Sequence, residues 1–265
     1  MQHYFAIRAA KQIAVAALAA AVTLPIAARA EQPGCDAQTN LVRFAYPLTH
    51  VAHKLSTNQP ITIVAIGSSS TAGAGASSAA ATYPSRLQVE LSQRFPGHNI
   101  KVINRGVNGE EITDMLKRFD QAVIAAKPDL VLWQFGTNSV IRDHAASDHS
   151  ASARGGIAKI RATGADVVLI DPQYAPKVIA KPEAVSMVDL IAMTAKREDI
   201  DLYPRFQVMR RWHDEDHMDF KAFVSPDGLH MNDWSYACLA KSLGQAIAEA
   251  AQRPVLPVSV HAFAD

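Results

Sequence analysis

The sequence predicts an α/β domain built on a parallel sheet with helices on both faces, and three observations lead there. From residue 60 onward, short runs rich in β-branched residues alternate with longer amphipathic segments. The short runs are apolar along their length, the pattern of strands covered on both sides. About half of the 265 residues are apolar (49%), so a substantial core can be buried.

In order, residues 61–66, 100–104, 130–135 and 167–170 read as strands, and 200–203 as a fifth that Pro204 bounds. Helical spacing covers 83–95, 110–126, 152–163, 183–197 and 234–251. Residues 31–58 read as an irregular N-terminal arm, 59–253 as one α/β domain, and 254–265, with Pro254 and Pro257, as an extended tail. No repeat, low-complexity tract or linker divides the domain.

The first thirty residues have the layout of a secretory signal peptide. Arg8 and Lys11 precede an apolar run over 13–27, and Ala28-Arg29-Ala30 supplies a small-x-small cleavage site, so cleavage is expected after Ala30. The run is short beside the roughly 20 residues of a spanning helix and contains Pro25. The mature protein is therefore expected in the periplasm or secreted, without stable membrane insertion. Two cysteines remain, Cys35 and Cys238. An oxidising compartment would let them pair, and a buried free Cys238 is the alternative. With 26 basic and 25 acidic residues, the formal charge is +1, which argues against a nucleic-acid partner.

In open α/β sheets ligands bind beyond the carboxyl ends of the strands, so the residues after each strand are informative. The first strand runs into Gly67-Ser68-Ser69-Ser70-Thr71-Ala72-Gly73, the second into Asn104-Arg105-Gly106-Val107-Asn108-Gly109, and the third into Gly136-Thr137-Asn138-Ser139. Near the end lies Ser225-Pro226-Asp227-Gly228-Leu229-His230. A serine becomes a competent nucleophile when a base takes its proton and a third group orients that base. Asp227 and His230, three apart on a glycine-containing turn, suit the last two roles, and Ser69 at a strand-to-helix corner suits the first. The backbone N–H of Ser69, that of Gly109 and the Asn138 amide are the candidate oxyanion donors.

These four segments, in this order, resemble the SGNH/GDSL hydrolase family (GDSL-type esterases and lipases), whose blocks are a GDS-type serine, a glycine, a G-x-N-D segment and a D-x-x-H segment. The resemblance implies Ser69 as nucleophile, Ser69, Gly109 and Asn138 as oxyanion hole, Asp227 as orienting acid and His230 as base. It also implies a three-layer α/β/α sandwich of flavodoxin-like type, with a mostly parallel five-stranded sheet. Two positions depart from the pattern: Ser68 stands where GDS has aspartate, and Ser139 where G-x-N-D has its own. Of three consecutive serines, Ser69 alone keeps the family spacing.

Other signatures are weaker. Residues 67–75 lack the lysine of a phosphate-binding loop and the spacing of a dinucleotide fingerprint. His213 and His217 have a helical metal-pair spacing, but Asp214 follows the first histidine where a zincin has glutamate, so no metal is expected. His144 and His149 read as a solvated loop that can reach a cleft, Arg210-Arg211-Trp212 as surface arginines with a packed tryptophan, and Trp133 as core. The expected activity is hydrolysis of carboxylic esters, short-acyl or acetyl, with carbohydrate-linked esters as one option, through an acyl-serine and without a cofactor. Lipid acyl or thioester hydrolysis, acyl transfer to a sugar hydroxyl and a silent carbohydrate-binding role are the alternatives. The expected partner is a small-molecule or glycan ester, and the oligomeric state stays open.

Overall fold

The computed structural model describes Cys35 and residues 42–253. The predicted signal segment and tail lie outside them. Five strands, β1 (Ile61–Gly67), β2 (Ile100–Gly106), β3 (Leu130–Gln134), β4 (Asp166–Ile170) and β5 (Asp201–Tyr203), form one sheet in the order β2-β1-β3-β4-β5. Every neighbouring pair is parallel. The strand order reverses between β1 and β3, the place where such sheets open a crevice for ligands.

Along the chain the helices are α1 (Thr49–Ser56), α2 (Ser69–Ala72), α3 (Tyr83–Arg94), α4 (Ile112–Lys117), α5 (Phe119–Ala122) and α6 (Thr137–Ile141). They continue as α7 (Ser150–Arg161), α8 (Pro176–Ile179), α9 (Glu183–Arg197), α10 (Arg205–Asp214), α11 (Phe220–Phe223) and α12 (Asp233–Gln252). Helices α1 and α3 pack on α12, while α7 packs on both α4 and α9, giving a layer on each side of the sheet. Covered on both faces, β3 is buried at every position. Strand β2 differs from the expected apolar run: only Ile100 is fully buried and Lys101, Asn104 and Arg105 are exposed, because β2 is an edge.

The segment 110–126 is broken rather than one helix. It forms α4, α5 and a 3-10 turn at Ile124–Ala126. Arg118 ends α4 and turns its guanidinium onto Glu110, with Nη2 also donating to the Arg105 carbonyl at 2.8 Å. The bend brings Met115 and Phe119 onto one ring: Trp133 Nε1 lies 3.4 Å from the Met115 sulfur, and the Phe119 and Trp133 centroids are 5.2 Å apart.

The arm also differs, since it contains α1. Three aspartates at the amino ends of the strands hold it. Asp201 accepts the Ala45 and Tyr46 amides, Asp166 those of His50 and Val51, and Asp129 the His50 ring at 2.9 Å. Cys35 and Cys238 form a disulfide, so Cys238 is not a free buried thiol.

Helix α7 reaches the sheet through Gly156. A Cβ there would lie 2.1 Å from the Trp133 ring, which is rigid and fully buried. Glycine inside a helix normally costs about 1 kcal/mol relative to alanine. Here overpacking reverses the sign, and Gly156→Ala is expected to destabilise by about 1–3 kcal/mol in denaturant titration. A more stable variant would show that the contact yields freely.

Candidate active site

The turn after β1 is organised by Gln134, the last residue of β3 and fully buried. Its Oε1 accepts from the Ser68 amide (2.9 Å), the Ser68 hydroxyl (3.1 Å) and the Thr71 hydroxyl (3.2 Å). Ser68 thus spends its hydroxyl holding the turn. Ser70 is buried at 1% exposure. Ser69, the first residue of α2, instead donates its Oγ hydrogen to His230 Nε2 at 2.8 Å.

His230 Nδ1 lies 2.5 Å from Asp227 Oδ2. A carboxylate only accepts, so the neutral ring carries its proton on Nδ1 and leaves Nε2 to accept from Ser69. The other carboxylate oxygen, Oδ1, accepts the Leu229 and His230 amides at 2.9 Å each. Partial burial alone would raise the Asp227 carboxyl, but the bonds from the His230 ring and the two amides outweigh it and hold the group below the usual carboxylate range. The turn itself is closed by Ser225 N donating to the His230 carbonyl at 2.7 Å and by the antiparallel bridge of Val224 with Met231.

The other two candidate donors come from the loop after β2 and from α6 after β3. Val107 N donates to the Gly67 carbonyl at 3.0 Å, which draws the 106–109 loop against the end of β1. Gly109 has φ +79, a left-handed conformation that a side chain strains. Asn138, in α6, uses one amide hydrogen on the Glu110 carbonyl at 2.8 Å and keeps the second. The N–H of Ser69 begins a helix and has no carbonyl partner within it.

Three polar residues that the sequence did not single out join these pieces. Gln134 holds the serine turn. Gln173, fully buried after β4, accepts from the Thr137 hydroxyl at 2.9 Å and donates to the Leu229 carbonyl at 3.1 Å, linking α6 to the His230 turn. Glu111 accepts from Ser139 Oγ (2.9 Å), Arg142 Nη1 (2.6 Å) and His144 Nδ1 (2.9 Å). Burial would raise the Glu111 carboxyl, yet the bonds from His144, Arg142 and Ser139 lower it overall. Glu111 also starts α4 in a capping box with Asp114, a pair that lacks the usual Ser/Thr-to-Glu/Gln sequence signature.

The remaining candidates have other partners. His144 lies in an exposed loop, as the sequence suggests, and bonds Glu111 from there, whereas His149 is buried, with burial lowering its pKa. His213 pairs with Asp214 and stacks on Phe220 at 4.3 Å. Arg210 and Arg211 pair with Asp214 and Glu215, while Trp212 is core. Among the described residues no group of three or more His, Cys, Asp or Glu could hold a metal. A cavity of about 640 Å³ lies beside the turn that carries Asp227, with Pro176, Phe220, Lys221, Val224, Pro226 and Gly228 among its walls.

The model of the non-GDSL lipase-like family matches residues 34–253. The chain belongs to that family. The expected GDSL-type resemblance is thereby met only in part, since the matching family is a non-GDSL one. Among relatives of the family member described here, an arylesterase of Vibrio mimicus is 25% identical over 167 residues, which is 63% of this chain and 78% of that protein. An acetylxylan esterase of Geobacillus stearothermophilus is 37% identical over 54 residues, 20% of this chain, and the match spans only 25% of that protein's length. The structure of a mutant acetyl-xylooligosaccharide esterase from Geobacillus superposes with TM-score 0.62 at 20% identity, covering 71% of this chain and 94% of the other, a likeness of fold.

Proposed function

We propose that the chain is an exported serine esterase that hydrolyses carboxylic esters through an acyl-Ser69 intermediate. The observation that carries this reading is the hydrogen-bonded line from Ser69 Oγ to His230 to Asp227. His230 Nε2 takes the serine proton as Oγ attacks the ester carbonyl, and the charge that develops on the carbonyl oxygen meets the N–H groups of Ser69, Gly109 and Asn138. His230 then returns the proton to the leaving alcohol, and in the second half-reaction it activates the water that releases the acid. Asp227 keeps the ring in the required tautomer and stabilises the imidazolium. Loss of one oxyanion donor costs about 2.7–4 kcal/mol of barrier lowering in such sites.

Export is supported by the signal-like layout of residues 1–30 and by the Cys35–Cys238 disulfide. Short acyl groups on carbohydrate are the favoured substrate, given relatives that act on acetylated xylan and its oligosaccharides. A second reading, hydrolysis of longer lipid acyl esters, is favoured by the apolar walls of the cavity at Pro176, Phe220, Val224 and Pro226.

The test is exposure of the purified protein to a fluorophosphonate, followed by peptide mapping. A single adduct on Ser69 that disappears in His230→Ala is expected. A folded protein that takes no adduct would overturn the reading. p-Nitrophenyl esters of increasing chain length, beside acetylated xylo-oligosaccharides, then decide between the two substrates.

A further inference from the structure

Glu111 lies on the loop that carries Gly109, and its partners lie on α6, which carries Asn138, and on the turn that follows it. Ser139, adjacent to Asn138, donates to Glu111 Oε2 at 2.9 Å, and Arg142 Nη1 donates to Oε1 at 2.6 Å. The same guanidinium turns its Nη2 back to the Gly109 carbonyl at 2.9 Å. The Asn138 amide closes the circuit on the Glu110 carbonyl at 2.8 Å. The Glu111 side chain is only 11% exposed, and His144 adds a further bond to Oε2.

The sequence departure at Ser139 acquires a physical meaning from this circuit. Where the family segment carries an aspartate, an acceptor, this chain carries a hydroxyl that donates. The carboxylate comes instead from the facing loop. Charge-assisted bonds of this kind are short and directional, and three converging on one carboxylate leave the Gly109 loop and α6 little freedom to separate. A donor displaced by a fraction of an ångström loses much of its value in the transition state, so what holds the two together bears on turnover.

We infer that Glu111 is a positioning residue that fixes the Gly109 and Asn138 donors relative to each other. The inference rests on the esterase reading above. Glu111 touches no reacting atom. Its bonds also cap α4, where Asp114 Oδ2 accepts the Glu111 amide at 3.2 Å, so a purely helix-capping role is the rival to be separated.

The experiment compares Glu111→Gln, Ser139→Ala and Asp114→Ala with the unmodified protein, using p-nitrophenyl acetate and a boronic acid as a tetrahedral mimic. Fluorophosphonate labelling of Ser69 in the unmodified protein is checked first; if it fails, the esterase reading fails and not this one. In Glu111→Gln, kcat is expected to fall about 10- to 100-fold with KM within twofold, and boronate affinity to weaken by a similar factor. Ser139→Ala, which leaves the cap untouched, is expected to fall about 3- to 10-fold, and the double variant less than the product of the two. Asp114→Ala should lower the melting temperature and leave kcat unchanged. The inference is overturned if Glu111→Gln keeps its kcat, if KM rises in place of a fall in kcat, or if Asp114→Ala loses as much turnover as Glu111→Gln. Should Glu111→Gln fail to fold, an unchanged kcat in Ser139→Ala overturns it equally.

Discussion

Replacing Ser69 by alanine is expected to lower kcat by about 10⁵-fold while the protein stays folded. That factor corresponds to roughly 7 kcal/mol of barrier. It exceeds the loss from any one oxyanion donor, because without the nucleophile no acyl-enzyme can form. The hydroxyl of Ser69 bonds His230, and deleting it leaves the turn held by Gln134 through Ser68 and Thr71. Alanine is favourable in the first turn of a helix, so stability should move by no more than about 0.5 kcal/mol. Circular dichroism and a melting curve, beside turnover of p-nitrophenyl acetate, check both halves. Turnover above about a hundredth of the original would put the reaction on another group. Neither neighbouring serine is placed for it: the Ser68 hydroxyl donates to Gln134, and Ser70 is buried at 1% exposure.

The sheet was legible because its buried strands are written in apolar, β-branched residues. Ile61, Ile63, Val64 and Ile66 in β1, and Leu130, Val131 and Leu132 in β3, are all nearly inaccessible. The sequence boundaries of α9 coincide with those observed, since its apolar stripe continues unbroken from Ala184 to Ala195. Where tertiary contacts decide, sequence patterning fails. Helix α1 has one fully buried residue, Val51, and a stripe that narrow carries no signal; its aspartate partners lie 79 to 116 positions away. Helix α10 opens on Arg205, which is 1% exposed and donates to the Asp171 carbonyl, so a charged residue marks the interior rather than the surface. The break after α4 is set by packing on Trp133, which local spacing does not report.

At the site the split follows the same line. The cluster of Ser69, Asp227 and His230 was legible because the last two stand three residues apart on one turn and the first follows a strand. Gln134, Gln173 and Glu111 were not, because each is ordinary in its own segment. Their partners at Ser68, Leu229 and Ser139 are 66, 56 and 28 positions away, and the parallel sheet alone brings them together.

Removing the disulfide is expected to lower the melting temperature by about 10–20 °C with little change in kcat at 25 °C. The bond joins Cys35 to Cys238 across 203 positions. In the chain-entropy account, closing a loop of that length withholds about 5 kcal/mol from the unfolded ensemble. A domain of this size shifts by roughly 2–4 °C per kcal/mol. The arm has other attachments, the bonds of Asp166, Asp201 and Asp129 to residues 45–51, so the variant should still fold. Neither cysteine bonds Ser69, Asp227 or His230, which is why turnover below the melting range should survive. The check is a Cys35→Ser/Cys238→Ala variant, melted beside the unmodified protein with its thiols counted by mass. Cys238 is fully buried in α12, so a thiol reductant alone should leave the bond intact until denaturant is added. A shift below about 3 °C would mean that the packing of the arm, rather than the covalent bond, sets its stability. A full shift would link the fold to its compartment: a stability that depends on an oxidised pair is available only where such a pair persists, which is the condition that export supplies.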